Sequence, residues 1–347
     1  MKGMMPMFEK LAKNLKKNLL WYSLIAIGLG WALGLAFHDF AMVHKTLLSN
    51  LTTVLVFLMI YPMMVNLNLE RIPKVLKEPK PVLLSLVYNF VLTPLIAFLL
   101  VKGFIHDPNL ALGFLLVMLV PGSSMSIGYT GLAGGDLEVA TVALGVNFLL
   151  IPLMLPLWVK LLGSAYNVPV PLSLLLKTVF VVLILPMFLG DLTRRLLIRR
   201  LGEKGFSKLK PLFGSITMTT MLLLVGLIFF MKAQLLLSKW FILVELAVVN
   251  TVYMLLMLAL ITWLDRALGL SYEEHMGIVF LSVGKNNGTA IAIATLAFQP
   301  LVAIPAATLP IFQIIFLILY LRLAERVKCF FEVNMCSKGT SGEPEVG

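Results

Sequence analysis

Ser282, Gly284, Lys285, Asn286, Asn287, Gly288 and Thr289 are the polar and flexible residues with the least ordinary setting in this chain. They fall together in the otherwise apolar stretch Leu281–Ala294, LSVGKNNGTAIAIA. A helix in lipid pairs its own backbone groups. Glycines loosen it, and each freed N–H or C=O then needs a partner in protein or in a watery cavity. A lysine at mid-bilayer costs about 2.5–3.5 kcal/mol on insertion scales. The chemistry that repays such costs is binding: amides donate and accept, hydroxyls do both, and an ammonium supplies charge. A second stretch, Val120-Pro121-Gly122-Ser123-Ser124-Met125-Ser126, has the same character. Proline removes a backbone donor and clashes with the preceding turn, so this segment is also expected to break. A half-helix N-terminus opened by such a break offers N–H groups and a partial positive charge to an anion or polar oxygen. Ser123, Ser124 and Ser126 would add hydroxyls there. The two stretches point to a small anionic or strongly polar solute, with Pro121, Gly122, Gly284 and Gly288 as the break residues. The plainer alternative is that the serines and asparagines only cap broken helices or join neighbouring ones.

Other intramembrane polar residues admit similar pairs of readings. Asn89, Asn147 and Asn250 sit inside apolar segments. Asn89 and Asn250 occupy similar depths, and Asn89 is taken as a further substrate-binding candidate, although hydrogen bonding between helices accounts for each equally well. Lys177 and Glu245 lie near segment ends, where long side chains reach back to water. His38, His44, His106 and His275 fall at segment edges, and no His/Asp/Glu/Cys grouping suits a metal or a catalytic triad. The chain is therefore expected to be no enzyme and to need no cofactor. The two cysteines, Cys329 and Cys336, lie near the C-terminus and are expected to be reduced cytosolic thiols.

The elements that hold these residues follow from composition. Of the 347 residues 60% are hydrophobic and 13% charged, against about 45–50% and 25% in soluble domains. Ten segments approach the roughly 20 apolar residues that a span needs: 20–37, 47–66, 82–102, 109–132, 137–161, 172–192, 211–231, 239–264, 275–298 and 301–324. The net charge of +11 gathers between these segments, on no basic face that would suit nucleic acid. With the N-terminus inside, 21 of the 28 Lys and Arg residues fall on the cytoplasmic side, leaving Lys45, Lys102, Lys160, Lys232 and Lys239 outside and Lys177 and Lys285 within spans. That bias predicts ten spans with both termini cytoplasmic, in the cell membrane. The expected organisation is a basic N-terminus over 1–19, five helices over 20–161, an external linker over 162–171, five helices over 172–324 and a disordered cytoplasmic tail over 325–347. Five is odd, so the halves enter from opposite sides. Inverted repeats of this kind mark secondary transporters, with the site near midplane where discontinuous helices meet. The two polar stretches fall in the corresponding fourth and ninth spans. Gly30 and Gly34 form a GxxxG pair suited to helix packing.

The segments PGSSMSIGYTGLAGGD (121–136) and SVGKNNGTAIAIA (282–294), set among ten spans, resemble the bile acid:sodium symporter superfamily, which includes the arsenite efflux permeases. Ile60–Met64 (IYPMM) and Tyr88–Leu95 (YNFVLTPL) are similar to the arsenite permease branch, and the Pro121-Gly122 break to the bile acid branch. The resemblance covers residues 20–324. It implies a panel of spans one, two, six and seven, a core of the other six with spans four and nine crossing at their breaks, and alternating access by a monomer or homodimer. It implies a coupling ion, Na+ or H+. Ser282 stands where the symporters carry a sodium-binding glutamate, while Ser126 keeps a serine ligand. Ile127, Ala140 and Leu144 stand where other ligands do. Lys285 falls among the backbone ligands of the second sodium site and Asn286 at its glutamine, so the Lys285 ammonium is expected to replace the ion or to exchange a proton. Gly122 occupies the place of the permeases' metalloid-binding cysteine. Three readings follow: a carrier of a small organic anion, an arsenite or metalloid efflux permease, and a sodium symporter using a remnant site.

Overall fold

The computed structural model describes residues 5–67, 79–164, 172–298 and 300–332. Arg71, Lys74 and Lys77 of the expected basic loop, most of the linker, and the tail with Cys336 and Lys338 lie outside them. The described residues are almost wholly helical. The helices are α1 (Met5–Lys17), α2 (Leu19–Ala36), α3 (His38–Val43), α4 (Lys45–Asn66), α5 (Pro79–Val87), α6 (Thr93–Phe104), α7 (Pro108–Met118) and α8 (Ser124–Leu132). After these come α9 (Leu137–Ser164), α10 (Leu172–Val179), α11 (Leu185–Ser238), α12 (Phe241–Ala267), α13 (Tyr272–Val283), α14 (Asn287–Ala297), α15 (Ile304–Arg322) and α16 (Ala324–Phe331). Among the described residues, seven helical runs are long and apolar enough to cross a membrane.

The structure departs from the ten expected segments in ways with local causes. The fourth and ninth segments are each two short helices, so neither yields a single long run. The sixth and seventh belong to one run, Leu172–Ser238. A loop was expected between them, but the basic stretch is helical, in keeping with its Arg, Lys and Leu, which are good helix formers. The run is interrupted at Gly202, whose φ of 71° and ψ of 167° are non-helical and open to glycine at little cost, so two helices meet there. The third segment is α5 and α6 joined by a π-helical turn, Tyr88–Leu92. The tail does not begin disordered, because Ala324–Phe331 forms α16, which buries Val327.

Two packing groups are evident. In the first, α2 and α4 lie along α11. A methyl added at Gly30 would meet the carbonyl of Gly226, and one at Gly34 would meet Phe230 and Ala233. The GxxxG pair therefore brings two helix backbones into contact. Trp31 Nε1 donates to the Ala233 carbonyl at 3.0 Å beside it. The second group is the buried body built from α5–α9 and α12–α15. Every residue of α7 from Leu110 to Met118 is buried, as is every residue of α13 from His275 to Val283.

Gly30→Leu and Gly34→Leu are expected to lower the thermal unfolding midpoint of the detergent-solubilised protein, in line with overpacking costs of about 1–3 kcal/mol each. Gly28→Leu, with open space around its Cα, is the control and should leave the midpoint in place.

Candidate functional site

The helix breaks are built by capping. In α7–α8 the chain leaves the helix after Leu119 and passes through Val120-Pro121-Gly122. It re-enters at Ser123, whose hydroxyl accepts from Met125 N at 3.3 Å. In α13–α14 it leaves at Gly284 (ψ 141°) and re-enters at Asn286, whose carbonyl oxygen Oδ1 accepts from Thr289 N at 3.1 Å. Both re-entries use the residue types that stabilise helix N-termini.

The two breaks pair with each other. Pro121 and Lys285 form an antiparallel bridge. Gly122 N donates to Leu281 O at 3.0 Å, and Asn286 N donates to Val120 O at 3.3 Å. A Cβ on Gly122 would collide with Ser126 Oγ and press on the Leu281 backbone, so the crossing requires glycine there. Ser126 is buried and its carbonyl accepts from Thr130 Oγ1. Of the expected break residues, Pro121, Gly122 and Gly284 lie in the non-helical turns. Gly288 does not. It is the second residue of α14, buried against Met59 Sδ of α4, where a Cβ would come within 3.0 Å.

Lys285 is 1% exposed. Its backbone N–H donates to Gln313 Oε1 on α15 at 2.8 Å, and its Nζ donates to Asn89 Oδ1 in the π turn at 2.9 Å. No carboxylate pairs with it among the described residues. Asn89 Nδ2 donates to Ser85 O, and Ser85 Oγ accepts from Asn147 Nδ2 at 2.9 Å. Asn287 Nδ2 reaches Gln313 Oε1 at 3.4 Å, and Asn286 Nδ2 reaches Met63 Sδ of α4 at 3.3 Å. Three buried oxygens at the second break, Ser282 Oγ, Asn287 Oδ1 and Thr289 Oγ1, have no hydrogen-bond partner among the described residues. Unpaired buried polar atoms are uncommon in folded proteins, and three at one break mark a place with spare capacity for a ligand or water. Ser124 begins α8.

Residues 53–239, just over half of the chain, match the profile of the Sodium Bile acid symporter family. The chain belongs to that family. It is a membrane transporter, and a multi-pass one. Among curated relatives, the symporter-family chain is 26% identical to the arsenical-resistance protein Acr3 of Alkaliphilus metalliredigens, over 54% of this chain and 56% of that protein. It therefore spans little more than half the length of that relative. It is 22% identical to the sodium-dependent transporter YocS of Bacillus subtilis, over 76% of this chain and 79% of that one. An Acr3 of Corynebacterium glutamicum is 22% identical over 68% and 67%.

Several polar residues of this symporter-family chain escaped the sequence reading. Gln313 serves both Lys285 N and Asn287, and its signal was an amide inside the last apolar segment, three residues after Pro310. His275 was expected at a segment edge. It stands in the first turn of α13, where it is fully buried and hydrogen-bonded to Asp265 and Tyr320. Asn250 is fully buried with both amide atoms unpaired. Glu245 does not simply reach for water, since it pairs with His106 at 2.8 Å.

Replacing Asn89 with Leu removes the acceptor of a buried ammonium. Stability should fall by about 1.5–3 kcal/mol, the worth of a hydrogen bond to a charged group. Adding Lys285→Met to Asn89→Leu should restore a large part of that loss in chemical or thermal unfolding. Equal or greater loss in the double variant would show that Asn89 does not act through Lys285.

Proposed function

We propose that this chain is a secondary active transporter that moves a small organic anion by alternating access, with its site where the two breaks cross. The observation that carries this reading is Lys285, a lysine buried at the bridge between two broken helices, held by Asn89 and facing no carboxylate among the described residues. An organic anion is the ligand whose charge complements it, and the unpaired oxygens of Ser282, Asn287 and Thr289 suit polar groups on the same ligand. Ser123, Ser124, Ser126, Asn286 and Asn89 complete the proposed lining. In this reading the seven long runs become ten spans: Leu172–Ser238 counts as two, and the paired half-helices α7–α8 and α13–α14 add two more. The halves, 20–161 and 172–324, are inverted repeats, with termini inside the cell. The group α2, α4 and α11, with α10 as its sixth span, is the moving panel. The other helices are the core, and Met59 and Met63 are the panel's contact with the second break.

For coupling, the residues at the aligned first sodium site do not suit that ion. Ser126 and Ser282 supply two neutral hydroxyls and Ile127, Ala140 and Leu144 none, whereas a hard cation wants several oxygens. Lys285 stands in for the ion, its ammonium taking the place of fixed positive charge, or it exchanges a proton during the cycle. A thermal-shift screen of the purified protein against organic acids, bile salts and arsenite, with and without sodium, tests both parts. The expected hit is an organic acid that raises the midpoint of wild type but not of Asn287→Ala, with no sodium requirement. Uptake into proteoliposomes that is fully stimulated by sodium, in wild type and in Lys285→Ala alike, would sink the ion-replacement idea.

A second reading, arsenite or metalloid efflux, is favoured by the two relatives named as arsenical-resistance proteins. Against it stands the absence of cysteine from the whole chain before Cys329, since As(III) wants a soft thiolate. Expression in an arsenite-sensitive strain should leave the sensitivity unchanged. Restored growth on arsenite would favour this reading over the first.

A further inference from the structure

A second buried polar network lies away from the paired breaks, where the end of α12 meets the start of α13. Asp265 and His275 are both fully buried. Tyr88 OH donates to Asp265 Oδ1 at 2.5 Å, and His275 Nδ1 lies 2.6 Å from Asp265 Oδ2. His275 Nε2 lies 2.7 Å from Tyr320 OH, which lies 2.6 Å from Thr262 Oγ1. Thr262 Oγ1 donates in turn to Leu258 O at 2.6 Å.

Counting hydrogens along this chain fixes its direction. A carbonyl only accepts, so the Thr262 proton points at Leu258 O. The short contact between Thr262 and Tyr320 then needs the tyrosine proton. The Tyr320 oxygen has no proton left for His275, so Nε2 must carry one and donate it. The remaining contact, Nδ1 to Oδ2, also needs a proton, which sits either on the ring or on the carboxyl. Both arrangements are neutral overall and hold one proton more than a neutral imidazole beside a carboxylate. Without that proton two lone pairs would face each other at 2.6 Å.

We propose that Asp265 and His275 form a proton-binding site that holds one proton between carboxyl and ring and is tied mechanically to Lys285. The ligand is a proton; loading and release move one H+ to or from water and no electrons. Two connections reach Lys285. One is α13 itself, which carries His275 and ends at the break. The other is the π turn, in which Tyr88 holds Asp265 and the next residue, Asn89, holds the Lys285 ammonium. π turns inside α-helices are often found at functional sites. Release of the proton sets an anionic carboxylate against a ring lone pair and loosens the contact between α12 and α13, and with it the turn that positions Asn89.

Aromatic side chains enclose the pair. Tyr88 faces it from the π turn and Tyr320 from α15. Phe331 of α16 stacks on the His275 ring at 4.8 Å and covers it. Charged groups on these elements engage elsewhere: Lys80 with Leu268 O, Arg266 over Phe330, and Lys328 over Tyr272. Glu274 caps α13 through Ser271 N, while Glu273, Glu325 and Glu332 act on Tyr272. Arg322 and Arg326 complete the charged groups of α15 and α16, and Asp136 and Glu138 lie at the start of α9, whose Asp136 N meets Glu273 O. The proposal is independent of the substrate, and neither test below uses one.

The first test is tautomeric. The full chain is labelled with ¹⁵N-histidine in lipid bilayers, with His38→Gln, His44→Gln and His106→Gln leaving His275 as the sole histidine. At pH 7 the spectrum should show Nε2 protonated and Nδ1 either protonated or a strong acceptor. A ring with a bare Nε2 and its only proton on Nδ1 overturns the proposal. The second test is Asp265→Asn. Its amide can accept from Tyr88 and donate to Nδ1, reproducing the loaded pattern with nothing to titrate. A proton held between carboxyl and ring in the folded state alone makes stability fall as pH rises. Relative to Asp265→Asn, the unfolding constant of the full-length wild type should rise by up to about tenfold per pH unit above neutrality. Parallel pH profiles for the two proteins overturn it. If Asp265→Asn does not fold, the tautomer measurement decides alone.

Discussion

Every backbone polar group in a membrane interior needs a partner, and this constraint decides how two helices can be broken at mid-depth. Each interruption leaves N–H and C=O groups that its own helix no longer satisfies. Here each break answers the other: Gly122 N finds Leu281 O, and Asn286 N finds Val120 O. Three further donors go to side chains placed for them, Ser123 for Met125 N, Asn286 for Thr289 N and Gln313 for Lys285 N. Neither break would be stable without the other. Their crossing is therefore a structural necessity before it is a site, and a site only because polar capacity is left over.

The leftover capacity is unevenly distributed. At the first break the Ser123 side chain is spent on capping. At the second, Ser282, Asn287 and Thr289 keep buried oxygens without a partner among the described residues, and no carboxylate among them meets Lys285. Met59 and Met63 of α4 touch this second break from the neighbouring helix group. A soft, unbranched side chain adapts its shape at little cost, which suits a contact between groups that slide past one another.

Much of this was legible in the sequence because it depends on residue types that lipid does not tolerate without cause. Pro121, Gly122, Gly284 and Lys285 stand out against apolar neighbours, and the GxxxG pair at Gly30 and Gly34 states its own packing. What stayed hidden depends on long-range pairing. Nothing local says that Asn89 would take the Lys285 ammonium 196 positions away, or that Gln313 would serve the break. Gly288 was read as part of the break because glycine weakens helices. Its true constraint is the sulfur of Met59 on another helix. His275 does stand at a segment edge, in the first turn of α13, but nothing local says that its ring would be buried against Asp265 and Tyr320.

The π turn at Tyr88–Leu92 joins these observations. An α-helix turns 100° per residue, so two adjacent side chains ordinarily point to different neighbours. Here that divergence is used: Tyr88 reaches Asp265 at the end of α12, and Asn89 reaches Lys285 at the bridge between breaks. Asn89 is held by Ser85 O, and Ser85 by Asn147 of α9. The turn is thus fixed from α9, α12 and the second break at once. A displacement of any of the three must be carried by the other two or cost a buried hydrogen bond. Such a cost favours two discrete arrangements over a continuum, and two discrete arrangements are what a carrier needs.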